Sequence, residues 1–376
     1  MAYKKYIRLI LILVFLQAFS CAAYSVEITE NLSLNGYFTI DATMADDNGI
    51  VLPSILGSAS SLNKDEVVYD GTLIGVQLDY NISDNLSLAI QGISAKQSAD
   101  EYDPILEWAY LKYDFGNDLF LRAGKLKLPF LQGTELRYVG YSRLWVRPLV
   151  PSNGAGGFDD YEGIELLKTY FIGDYNLKLH AAYGESDHFK DVVKDNEVRL
   201  LSTQIEKDDN WLKIALFNAY FDLYTYNDLI IQRDAKINMI SLEAKYLVDS
   251  FIFHVGVTKG EAESYPDMNI SYMSLGYQID RLTPYIMYNA RSAEFSPVIL
   301  PAGAVLPPGP PPPGTLPLSA DGERSSEAYA LGFRYDIGDS YALKIQWDSV
   351  TMKDTISPLP SETDADVYTV VFEGLF

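Results

Sequence analysis

The sequence predicts an all-β protein: a 16-stranded antiparallel transmembrane β-barrel, closed on itself. Three observations carry that expectation. An export signal is followed by no run of about 18 apolar residues, so no helix is available to cross a bilayer. Segments of about ten residues alternate apolar and polar, as a strand does with lipid on one side and water on the other. Short Asn/Asp/Gly turns recur seven times, each separated from the next by two strands and a longer loop.

The first 25 residues read as a signal peptide cleaved within 22–25. Lys4, Lys5 and Arg8 form its positive start, residues 9–19 its apolar run, and Ala22, Ala23 and Ser25 offer the cleavage site. Cys21 invites a lipoprotein reading, but Phe19 and Ser20 are a poor context for lipid attachment. Cleavage removes the single cysteine, so the mature chain has no disulfide. It also leaves 26 Lys and Arg against 51 Asp and Glu, a net of −25. Such acidity excludes a nucleic-acid partner, which needs clustered Lys and Arg. The 28 Tyr and 17 Phe are many for an acidic soluble protein.

The strands justify themselves in chain order. In the first, about 32–44, Leu32, Leu34, Phe38 and Ile40 oppose Ser33, Asn35, Thr39 and Asp41. Ile74, Val76, Leu78 and Tyr80 oppose Gly75, Gln77 and Asp79. Leu177, Leu179, Ala181 and Tyr183 oppose Lys178, His180 and Ala182. Tyr329, Leu331, Phe333 and Tyr335 oppose Ala330, Gly332 and Arg334. Tyr341, Leu343, Ile345 and Trp347 oppose Lys344, Gln346 and Asp348. Residues 162–171 and 197–206 alternate poorly and are placed by spacing. The turns fall at 83–85, 116–118, 173–174, 207–210, 248–250, 279–282 and 338–339. They join fourteen strands, and the first strand with the last, about 366–376, makes sixteen. In lipid an open sheet edge is too costly, so the sheet must close, and sixteen strands leave an aqueous channel. The stretch 294–325, with nine prolines between 297 and 317, reads as a Pro-rich external loop without a packed core. Acids such as Asp46, Asp47, Glu261 and Asp267 read as solvated loop groups or as cation bridges to lipopolysaccharide.

Two stretches resemble known proteins. The chain ends DVYTVVFEGLF, and Tyr368, Phe372 and Phe376 resemble the assembly signal of bacterial outer-membrane barrels. That resemblance implies insertion by the barrel assembly machinery. AYLKYDFGNDLFLRAGK at 109–125, with the long connection after it, is similar to the Gram-negative porin family. LKLPF followed by Glu135 is similar to its phosphate-selective branch. The resemblance implies a cell outer-membrane location and a homotrimer among lipopolysaccharide and outer-membrane lipid. It also implies a third external loop, here 129–160, folded inward as a constriction. The family's Pro-Glu-Phe-Gly-Gly-Asp loop sequence is missing; the nearest text is Gly156-Gly157-Phe158-Asp159-Asp160.

Selectivity in a wide pore is set by side-chain charge at its narrowest point. Arg122, Lys125, Lys127, Arg137, Arg143 and Arg147 stand against one acid, Glu135, reversing the charge of the rest of the chain. Asp159, Asp160, Glu162 and Glu165 are available to oppose them across the lumen. Alternation points Arg122 inward, and a shift at Gly124 would turn Lys125 and Lys127 inward too, unless they snorkel to the interface. The arginines of 137–147 either line the constriction or pin the loop to acidic wall residues. Lys178, Arg334, Lys344 and Asp348 are candidate lumen-wall charges. Tyr138, Tyr141 and Trp145 suggest sugar stacking or, more simply, packing of the loop. The function expected is passive diffusion of small hydrophilic solutes and ions. The alternatives are a substrate-selective anion or sugar channel and a receptor or adhesin barrel. No enzyme, cofactor or metal is expected: His180, His188 and His254 lack metal-ligand spacing, and no serine has a nucleophile's setting.

Overall fold

The computed structural model describes residues 26–48, 50–53, 59–64, 66–98, 101–131, 133–147, 160–186, 193–224, 230–263, 266–295, 322–355 and 361–376. The expected signal peptide, Asp159 and most of the Pro-rich stretch lie outside them. The strands are β1 (Val26–Thr29), β2 (Leu32–Ala45), β3 (Ile50–Pro53), β4 (Ala59–Leu62), β5 (Leu73–Asn81), β6 (Leu86–Ser98), β7 (Glu101–Asp114), β8 (Leu119–Lys127), β9 (Asp160–Ile172) and β10 (Tyr175–Glu185). They continue with β11 (Val193–Lys207), β12 (Asn210–Tyr224), β13 (Ile230–Val248), β14 (Phe251–Ala262), β15 (Asp267–Tyr277), β16 (Leu282–Phe295), β17 (Gly322–Ile337), β18 (Tyr341–Asp354) and β19 (Ser361–Leu375).

Sixteen of these, β2 and β5 through β19, form one ring in which each strand is antiparallel to the next. The ring closes where β19 meets β2, through pairs such as Tyr368↔Met44 and Leu375↔Tyr37. Beyond that seam Gly36 and Phe376 exchange backbone hydrogen bonds, and β1 folds back on β2 with Val26 opposite Leu34. β1 and the small hairpin β3–β4 were not foreseen in the sequence. β16 and β17 take 294–295 and 322–325 of the expected Pro-rich loop into the wall, and Asp160 opens β9 instead of ending a loop.

Turn chemistry sets the connectivity. All seven turns read from Asn, Asp and Gly are present, and Gly116, Asn117, Asp118, Gly173, Asp208, Asp249, Asp280 and Gly338 have positive φ. These residue types reach that conformation at least cost. The other eight connections join the opposite ends of the strands, and that from β8 to β9 is the third.

Alternation sets the faces. Tyr329, Leu331 and Ile345 are exposed, while Lys344 and Glu373 are 0% exposed on the opposite face. An apolar surface outside and polar groups inside is the distribution lipid demands. A lysine on the outer face escapes along the sheet: Lys168 bonds the Asn117 carbonyl and lies over the Tyr170 ring. One of the two poorly alternating segments, 197–206, has a specific cause. Val198 and Leu200 of β11, Phe217 and Phe221 of β12, and Ile237 and Met239 of β13 are apolar on the inner face. They share one buried cluster with Leu126, Leu128, Phe130 and Leu131, so an inner face there meets protein and not water.

Inner-face tyrosines brace the wall. Tyr37, Tyr272 and Tyr285 each cover a glycine on the neighbouring strand (Gly75, Gly256 and Gly332), where a Cβ would run into the ring. Each hydroxyl then reaches one strand further, to Gln91 at 3.2 Å, Glu243 at 2.8 Å and Gln346 at 2.7 Å. Three strands are thereby tied at each point, with the phenol satisfied though buried.

Candidate functional site: the segment between β8 and β9

β8 leaves its neighbour early. Its pairing with β7 ends at Ala109↔Lys125, while that with β9 runs on to Lys127↔Asp160. Gly124 marks the departure with φ of 142°, and a Cβ there would strike the Ala109 backbone. Both lysines after it find acids. Lys125 is 2.8 Å from Asp160, and Lys127 is 2.5 Å from the buried Glu107, an inward residue at the β6–β7 bulge. A paired, buried lysine has no reason to snorkel.

Arg122 holds the root of the segment. Its Nη1 and Nη2 each donate to Glu135 Oε1 at 3.1 Å, and Nη2 pairs with Glu165 on β9. Tyr161 Oη also donates to Glu165 at 2.7 Å, and His180 Nε2 lies 3.4 Å away.

From there the segment docks in two ways. Its first part is apolar: Leu128, Phe130 and Leu131 cover the inner faces of β11–β13, with Phe130 and Phe217 ring centroids 5.8 Å apart. Burying one such side chain is worth about 1.5–3 kcal/mol. Lys213 adds a bond from Nζ to the Pro129 carbonyl at 2.8 Å. Its second part, around a 3-10 turn at Gly140–Ser142, is held through its backbone. Lys344 Nζ donates to the carbonyls of Gly140 at 2.8 Å and Trp145 at 3.3 Å while paired with Glu373 at 2.6 Å. Arg334 Nη1 donates to the carbonyls of Tyr141 at 2.7 Å and Arg143 at 2.9 Å, and its Nε pairs with Asp336. Val146 N–H donates to Gln346 at 3.0 Å, and Arg147 reaches Asp348 at 3.1 Å, Thr43 and Thr369. Gly140 is required, because a Cβ would enter the Glu373 carboxylate.

The segment lies close to the short turns. Tyr141 Oη donates to the carbonyl of Asp339 in the turn between β17 and β18. Arg143 Nη1 caps the Arg137 carbonyl, and burial pulls its guanidinium down to about 10, against the opposing pull of Glu373. Arg137 stacks on Tyr138, its centre 4.8 Å from the ring. Lys178 pairs with Glu206 at 2.8 Å on the wall away from the segment. Among the described candidates, then, Arg122, Lys125, Lys127, Arg147, Arg334 and Lys344 each have an acid at hand. The arrangement is a set of local ion pairs.

Between the second part of the segment and the wall lies a cavity of about 410 Å³. The segment contributes Leu131, Leu136, Arg137, Arg143, Leu144 and Trp145; the wall contributes Trp211, Glu243, Lys245, Ile252, His254, Tyr272, Thr283, Arg334 and Asp336. Sequence reasoning missed Lys213, Gln346, Glu107 and Trp211. Their partners are mostly backbone groups or side chains far along the chain, which no local motif announces.

No protein-family model matches the chain, and no curated protein matches it by sequence. Solved structures match it by shape. The outer-membrane channel DcaP of Acinetobacter baumannii aligns with TM-score 0.59 at 12% identity, over 95% of this chain and 100% of that one. The anion-selective porin of Comamonas acidovorans aligns with TM-score 0.56 at 12% identity, over 92% and 99%. OmpT of Vibrio cholerae, in its trimer form, gives 0.56 at 13%, over 92% and 99%. The fold shared with them is the closed sixteen-stranded porin barrel.

Proposed function

We propose that the chain is an outer-membrane porin of a Gram-negative bacterium, forming a water-filled channel for passive diffusion of small hydrophilic solutes and ions. In this reading the third connection on the side opposite the short turns is the external loop folded into the lumen, and residues 128–147 form the constriction. The observation that carries it is the bonding of that segment to the polar faces of β2, β12, β17, β18 and β19, strands on different sides of the ring. A ring of sixteen strands is too wide for side chains alone to fill, so the segment narrows it without sealing it. Locally paired charges orient polar solutes and leave little net field, which fits general diffusion with a modest ion preference. The porin-fold neighbours, one of them in trimer form, support the membrane location and a homotrimer. The lipopolysaccharide contacts, the barrel assembly machinery and the absence of an enzymatic activity belong to the same proposal.

Conductance in a planar bilayer tests it. Large, ohmic steps are expected, and folded protein that passes no current overturns the channel reading. Migration on gels as a large species that collapses on heating tests the trimer.

A further inference from the structure

The cavity beside the segment has a chemistry of its own. Four of its lining side chains are cationic and two are anionic. Asp336 is already paired with Arg334, and Glu243 accepts the Tyr272 hydroxyl while keeping its own charge. The balance of charge in the lining is positive, with Arg137, Arg143, Lys245 and Arg334 against Glu243 and Asp336. Beside it lies an aromatic corner. Trp145 and His254 meet edge to face at 5.2 Å, and Trp211 and Tyr272 flank them at 6.4 Å. His254 Nδ1 is buried there without a hydrogen-bond partner, a polar atom the protein itself leaves unsatisfied.

We infer that this cavity is a binding site for a small organic anion, a carboxylate carried on a compact ring. Cationic walls repel a cation that the aromatic rings alone would accept. Apolar and aromatic walls disfavour a bare inorganic anion, which would shed its hydration against them. A ring against the aromatic corner, with its carboxylate toward the cationic side, satisfies both halves of the lining. The volume suits such a ligand, being at the small end of ordinary ligand pockets. The wall residues of the site, from Trp211 and Lys245 to Asp336, lie within about five residues of short turns. In the channel reading, on which this inference rests, the site is therefore the last station before the short-turn mouth. A diffusing solute would pause there, and flux of such anions would saturate.

Benzoate is the probe, with inorganic phosphate and glucose as controls. Two of the four tryptophans line the cavity, so benzoate should change the intrinsic fluorescence of detergent-folded protein in a saturable way. Lys245→Glu should weaken that binding roughly tenfold or more, as loss of a charge-assisted contact does. Trp211→Phe should remove much of the signal while the protein stays folded. In bilayers benzoate should interrupt the current transiently, more strongly when added from the short-turn side. Phosphate and glucose should do neither. Absence of a saturable fluorescence change, or one unaltered in Lys245→Glu, overturns the site. An absence of conductance with benzoate binding intact would sink the channel reading and leave the site standing.

Discussion

The two walls that grip the segment differ in kind. The β11–β13 wall is apolar and receives Phe130 and its neighbours as one core receives another. The β17–β19 wall is charged and holds the segment by its carbonyls, with Lys344 and Glu373 both fully buried. The difference teaches what each grip can fix. Apolar packing is strong but tolerant of sliding, since it is roughly proportional to area. Donors aimed at particular carbonyls fix register, because a shift of one residue would leave a buried cation without its acceptors.

If the two grips are independent, Phe217→Ala with Lys344→Met should destabilise by the sum of the single effects, within about 0.5 kcal/mol. Denaturant unfolding in lipid vesicles measures this; a large shortfall would mean that one grip already depends on the other. Singly, Lys344→Met should cost about 3–5 kcal/mol, because it strands the Glu373 carboxylate in the interior. Adding Glu373→Gln should recover part of that loss, and failure to recover would place the cost elsewhere. Phe217→Ala should cost about 3–5 kcal/mol for the ring and the cavity left behind. It should also raise current noise if the segment then slides. Lys213→Met removes one charged hydrogen bond, to Pro129, and should cost about 1.5–3 kcal/mol. At the bottom of the scale, Lys207→Ala breaks an exposed pair with Asp174 and should leave the unfolding midpoint unchanged.

Much of the barrel was legible because its signals are local. A turn of Gly338 and Asp339 between two alternating runs states a hairpin without reference to anything distant. Alternation was legible wherever the inner face is polar, as on β17 and β18, whose inward side chains bond the segment's backbone. It failed on β11, where apolar residues from the segment cover the inward positions Val198 and Leu200. The site was legible in part. The departure at Gly124 and the inward Arg122 could be read from one strand. The pairing of Arg147 with Asp348 could not, since the two are 201 residues apart and any inward acid would have served as well.

The seam between β19 and β2 has a consequence for the order of events in folding. It brings together Thr43 and Thr369, 326 residues apart, whereas every other neighbour in the ring follows in sequence. Hairpins can zip one after another, but this last junction must await a closure over the whole ring, and such distant pairing is slow. Until it forms, β2 and β19 each offer a bare edge on which another copy could add. The hazardous species of this protein is thus an almost finished barrel, and substitutions at Asp41, Thr43, Thr369 or Val371 should act on its lifetime before they act on the closed barrel.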